Sequence, residues 1–399
     1  MGLLAALDFY NSSEFNNSEK YEEEEYRLYS WGEIFPPFLG NREHSIIARW
    51  ILKDFPFKLI CSSTPHDDPL PQKLCLTFRS PFEERKDNKS FGFFSEEIAK
   101  EFAAFLSLVT RRRVFAGKMT RSNGLPIEQE IDVYRRSHFQ EPQQLKEIDT
   151  AQFYQLLKNL QSMDRSMANS FVLAMRLYHT AVEMMYTEPE FSYLFLVTCL
   201  ETISSAVYKK FTPPKKQEFL DSRFSGWRDI SNALSQVDKP KLEELLLKNE
   251  KFFRQKLSKF VNENLPERFW TETEDDAKPD YLISKIGLGG ESISHADTTI
   301  RDWEKIEKGS LNKVLQNIYE ARSKFIHDGV RLPASIVIGH FRRLPVDASI
   351  TSVREDMKTS TQIPPLITFE RLISYSIVEF LHKQKTGNDH NAESEDLNV

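Results

Sequence analysis

The spacing of apolar residues changes near residue 147. Upstream, short apolar runs (SIIARWIL, FPFKLICSS, KLCLTFRS) are cut by breakers such as STPHDDPLP and ERKDNKSF, a pattern that predicts strands. SEEIAKEFAAFLSLVTRRRVF predicts a helix. Ser95 stands as its N-cap, Glu96 and Glu97 lie in its first turn, and arginines crowd its end, where the helix dipole favours them. Residues 11–30, including YEEEEY, read as a solvated or partly disordered lead-in. Downstream the pattern turns helical. AQFYQLLKNLQSM is amphipathic, MANSFVLAMRLYHTAVEMMY is long and apolar, and EPEFSYLFLVTCLETISSAVYKKF carries Pro189 near its start. After TPPKKQE come charged amphipathic segments, then helices at 311–328 and over PPLITFERLISYSIVEFLHKQK. The predicted fold is α+β. A mixed sensor or regulatory domain spans 1–147 and a helical bundle spans 148–386, with a helical insertion at about 212–300. The polar segment 387–399 is expected to be disordered.

Composition narrows the class. The 399 residues are 40% hydrophobic with a formal net charge of −6, which argues against coating nucleic acid by bulk charge and leaves room for a local basic site. Cys61, Cys75 and Cys199 form no CxxC pair and have no metal-ligand spacing, so neither a disulfide framework nor a zinc site is predicted. MGLLAALDFYNSSEF is apolar only briefly and lacks a basic leader. No run approaches the ~20 apolar residues of a membrane span. The expectation is a cytoplasmic protein with no membrane association, no metal and no cofactor.

The helix at 311–328 holds the chemistry of interest. At ~100° per residue, Leu311, Val314, Leu315, Ile318 and Phe325 form one apolar stripe with Arg322 in its middle. A charge facing a core needs a partner, because a lone buried ion costs several kcal/mol. Glu201, inside YLFLVTCLETISSAV, is the leading candidate; the alternative is an arginine that snorkels to the surface. His327 lies about 140° around a regular helix from Arg322. Gly329 is a natural stop, so His327 falls in the last turn, where the backbone can unwind and the dipole favours imidazolium. A helix-end histidine taken alone is more often a cap or surface residue. Arg-x-x-x-x-His is a weak signal by itself, and its weight comes from the stripe, the glycine stop and the buried glutamate.

IYEARSKFIHDG resembles the signature of HEPN domains, notably the ApeA-like branch of bacterial antiviral defence. LFLVTCLETI is similar to the earlier helix of that family with its buried Glu, and ITFERLISYSIVEFL to its closing helix. EEIAKEFAAFLSLVTRRRVF looks like the segment that precedes such domains in larger relatives. The likeness runs loosely over 165–385 and is sharp at 318–329 and 194–203, whereas 212–300 departs from a minimal four-helix pattern.

The resemblance implies a metal-independent endoribonuclease, a toxic effector of abortive antiphage defence, built as a homodimer or higher homo-oligomer whose motifs face each other across a cleft. His327 would act as general acid or base on the ribose 2′-OH and the leaving oxygen. Arg322 would hold the phosphate and its developing charge. Glu201 would orient Arg322, and Ser323 occupies a polar position beside it. RNA would be the substrate and a phage-derived trigger a possible partner. Lys324, Arg342, Arg343, Lys209 and Lys210 are candidate RNA contacts, as is the basic run RRRVFAGKMTR (111–121); a solvated surface is the plainer reading of each. PHDDP (65–69) imitates a metal-binding step inside a Pro-rich loop, and GLGGES (287–292) lacks the Lys-Ser/Thr of a phosphate loop. The competing function is a catalytically silent HEPN scaffold for protein or nucleotide binding. A transcriptional regulator is disfavoured because no basic recognition helix stands out.

Overall fold

The computed structural model describes residues 2–10, 23–31, 48–51, 57–61, 72–79, 91–111, 113–122, 125–126, 150–185, 187–213, 215–249, 252–271, 306–332 and 363–384. The architecture is α+β. After helix α1 (Gly2–Tyr10) come strands β1 (Glu23–Trp31), β2 (Ala48–Ile51), β3 (Lys58–Cys61) and β4 (Gln72–Arg79). Helix α2 (Phe91–Thr110) leads into β5 (Arg113–Ser122) and the short β6 (Leu125–Pro126). The strands form one antiparallel sheet in the order β2-β3-β4-β1-β5-β6.

β1 corrects the expected lead-in. The acidic run enters a central strand, paired with β4 on one side and β5 on the other. Tyr26 and Leu28 are buried while Glu25 and Arg27 are half-exposed. That is the period-two alternation of a sheet with one wet face. Tyr26 stacks on Phe78 of β4 at 5.6 Å between ring centroids.

α2 backs this sheet, and its start is a second correction. The helix begins at Phe91, so Ser95 lies inside it, fully buried with its hydroxyl unpartnered, and caps nothing. At its end Arg111 is not a solvated arginine either. Arg111 adopts a left-handed conformation (φ 53°), which turns the chain into β5. Its guanidinium grips buried Glu370, with Nη2 2.7 Å from Oε2. Tyr178 donates its hydroxyl to the other oxygen of that carboxylate.

The helical part consists of α3 (Thr150–Ser162), α4 (Arg165–Met184), α5 (Pro189–Val207), α6 (Lys216–Arg223), α7 (Trp227–Ala233), α8 (Asp238–Asn249), α9 (Phe253–Asn264), α10 (Arg268–Thr271), α11 (Leu311–Asp328) and α12 (Leu366–Lys383). Asp164 caps α4 by accepting from the amides of Ser166 and Met167, and Pro189 opens α5, where a missing N–H costs nothing. α4 and α5 pack as a hairpin. α12 is buried along nearly its whole length, against α2, α3, α5 and α9. α9 belongs to this bundle rather than to its periphery: Leu257, Phe260 and Val261 are buried, and it packs on α5, α11 and α12. Among the described residues only α5 is long and apolar enough to cross a membrane, contrary to the expectation that no run approaches a span. Most of its apolar surface faces the bundle.

One continuous core joins the sheet to the bundle. Phe102 of α2 packs on Phe57 at 5.0 Å and on Phe153 of α3 at 6.0 Å. Ser374 of α12 donates to the Leu108 carbonyl of α2 at 2.8 Å. Residues 387–399, PHDDP and GLGGES fall outside the described residues.

Candidate functional site

α5 and α11 meet where the sequence places its two core-facing charges. α11 buries Leu311, Val314, Leu315 and Ile318, and the next step along this stripe brings Arg322 against α5. Arg322 Nη2 lies 3.3 Å from Glu201 Oε2, with the two side chains 21% and 10% exposed. The pair is present but incompletely satisfied. Arg322 Nε and Glu201 Oε1 are both buried without a hydrogen-bond partner. Burial raises the Glu201 pKa, and the positive charge of Arg322 pulls it back. Tyr319, one turn earlier on α11, is also raised by burial and by the Glu201 charge. Arg322, Arg254 and Arg223 act on it in the opposite sense. Tyr319 therefore sits between the Glu201 carboxylate and three guanidiniums.

The histidine stands apart from this pair. α11 stays helical through Asp328, and only Gly329 leaves it, at φ 66°. The amides of Gly329 and Val330 both turn back on the Lys324 carbonyl. The expected unwinding at His327 does not occur. Its side chain is exposed, about 140° around the helix from Arg322, and makes no hydrogen bond to another described residue. Within one chain, Arg322 and Glu201 converge and His327 does not join them.

Exposed apolar side chains accompany His327 at the end of α11. Phe191, at the start of α5, is 47% exposed, Ile326 47% and Val330 52%. Phe191 meets Phe325 edge-to-face at 6.2 Å, which ties the start of α5 to the last turn of α11. Glu190 fixes the segment after α11 by accepting from the Arg331 side chain and the Leu332 amide.

Of the other candidates, Ser323 is half-buried, while Lys324, Lys209 and Lys210 are exposed. Lys209 reaches Ser166 Oγ at 3.0 Å. Arg342 and Arg343 fall outside the described residues. In the 111–121 run, Arg111 is committed to Glu370 and Arg113 lies over the Phe115 ring. Among the described residues, no three His, Cys, Asp or Glu side chains group as a metal site. Sequence reasoning passed over Tyr319, Arg254 and Arg223. Arg254 was legible as a charge at the edge of the apolar stripe of KFFRQKLSKFVNEN, three and seven residues before Leu257 and Val261. Comparison of the chain with protein-family models, curated proteins and solved structures gives no match.

Proposed function

We propose that the chain is a metal-independent endoribonuclease of HEPN type, acting as a toxic effector of antiphage defence. The observation that carries this reading is the Arg322–Glu201 ion pair between α5 and α11, on the helix that ends in His327 and a left-handed glycine. An arginine held through a single contact from Nη2, with its side chain 21% exposed, keeps other guanidinium N–H donors for a phosphate. The exposed histidine is open to solvent and to a substrate.

Because Arg322 and His327 diverge on one helix, the reaction needs a second copy of the chain. The apolar patch of Phe191, Ile326 and Val330 beside His327 gives that copy a surface to cover. Two such helices would face each other, each supplying one arginine and one histidine. One imidazole takes the proton of the ribose 2′-OH as that oxygen attacks phosphorus. The other imidazolium gives its proton to the departing 5′-oxygen. Arg322 stabilises the charge gathering on the phosphorane. The products are a 2′,3′-cyclic phosphate and a 5′-hydroxyl, and substrates with a 2′-deoxy sugar at the cut site resist. The sheet-bearing part would sense the trigger or restrain the nuclease.

The divergence of the same two side chains also favours the second reading, a silent HEPN scaffold. Purified protein is incubated with total RNA in EDTA, beside His327→Ala. The nuclease reading expects cyclic-phosphate ends that vanish in the variant, a general acid–base catalyst contributing ~10²–10⁴-fold. Equal cleavage by His327→Ala, or no cleavage by either, moves the assignment to the scaffold.

A further inference from the structure

A groove of about 600 Å³ opens between α9, α11 and the turn after α5. Arg254, Ser258 and Lys259 line it from α9, Asn312 and Gln316 from α11, and Phe211 from the turn. Arg254 and Lys259 are exposed, and among the described residues no carboxylate lines the groove. Phe211 is braced by Phe252 at 5.5 Å, and Lys259 Nζ hangs 6.0 Å from its ring. Cations that track a backbone beside a fixed aromatic wall are the features of a single-strand site. Two carboxylates stand nearby: Glu263 lies 3.8 Å from Lys259, and Glu320 is held by the Gln316 amide.

The periodicity of α11 extends this groove toward the histidine. Asn312, Gln316, Ser323 and His327 fall within about 60° of arc on one face of the helix and span about 22 Å of its axis. The groove occupies the first two positions, and His327 ends the row. Arg254 belongs to both regions, since its charge also reaches Tyr319 beside the Arg322–Glu201 pair. We propose that this groove binds single-stranded RNA, with phosphates on Arg254 and Lys259 and a base on Phe211. The strand then runs along the Asn312–Gln316–Ser323–His327 face. The proposal rests on the nuclease reading for the strand's destination, not for binding in the groove.

The test is fluorescence anisotropy of the full chain with a labelled, uncleavable 2′-O-methyl oligoribonucleotide of about twelve nucleotides. Arg254→Ala/Lys259→Ala should weaken binding tenfold or more at about 50 mM salt and lower the salt slope by about 1–2. Phe211→Leu should weaken it several-fold. The control Lys100→Ala/Arg165→Ala removes the same charge from α2 and α4 and should bind as the unaltered protein does. Glu320→Gln should bind more tightly. Absence of binding, equal loss in both double variants, no loss in the groove variant, or equal affinity for a blunt duplex would each overturn the proposal. Cleavage is scored separately. Groove-dependent binding without cleavage removes the nuclease reading and leaves the groove standing. Cleavage that survives intact in the groove variants does the reverse.

Discussion

Replacing Arg322 with alanine strands the Glu201 carboxylate in the bundle, and the cost depends on pH. Removing one member of a fully buried ion pair costs roughly 3–5 kcal/mol. Two features lower that here: the pair makes a single 3.3 Å contact, and Arg322 is 21% exposed. Moreover, burial raises the folded-state pKa of Glu201 above its ordinary value of 4.5, even against the pull of Arg322. The folded protein therefore holds this proton more tightly than the unfolded chain, so the Glu201 contribution favours folding at low pH and is lost as pH rises. Without Arg322 the folded pKa climbs further, and the deficit of the variant opens with rising pH, by at most ~1.4 kcal/mol per unit. Arg322→Ala is expected to cost about 2 kcal/mol near pH 8 and clearly less near pH 5. Glu201→Gln keeps an uncharged acceptor for Arg322 and should cost about 1 kcal/mol near pH 5, a deficit that shrinks as pH rises because the variant lacks the Glu201 proton. Urea unfolding followed by circular dichroism at both pH values measures the difference. A deficit for Arg322→Ala that stays constant or shrinks as pH rises would refute the stranded-carboxylate argument.

Further outcomes follow from other contacts. Glu370→Gln breaks the buried bidentate grip of Arg111 and should cost roughly 3–5 kcal/mol in urea unfolding. Gly329→Ala meets no neighbouring atom but must hold φ 66°, so it should cost about 1–2 kcal/mol from backbone strain alone. Ile326→Asp on the exposed patch should keep the circular dichroism spectrum of the folded chain and, where the proposed second copy covers that patch, shift sedimentation at micromolar concentration from dimer to monomer.

What the sequence disclosed follows the strength of local signals. The bounds of α11 were readable because its stripe repeats cleanly and Gly329 stops it. The Arg322–Glu201 contact was readable because each charge interrupts an otherwise apolar face, and such charges need partners. β1 was hidden because its glutamates dominate the composition of a segment whose buried face rests on Tyr26 and Leu28. Its partners, β4 and β5, lie some fifty and ninety residues away, so no local rule locates them. Ser95 resembled a cap only because the glycine-containing start of α2, FGFF, does not look helical. The role of Arg111 depends on Glu370 across the whole chain, and no pattern within RRRVF announces it. The groove between α9 and α11 likewise needs three elements brought together.

α2 has little surface to spare beyond the exposed Glu96–Lys100 pair. From Ile98 to Leu108 every residue but the exposed Lys100 is buried, with the sheet on one flank, α1, α4 and α12 on the others, and Phe153 of α3 against Phe102. It is a party wall, shared by the sheet and the bundle. A fragment starting at residue 148 would lose that wall and leave Phe153 and Ser374 facing water. A fragment ending at 147 would keep the wall with one side bare. An excision near 147 therefore yields two pieces of one core rather than two modules.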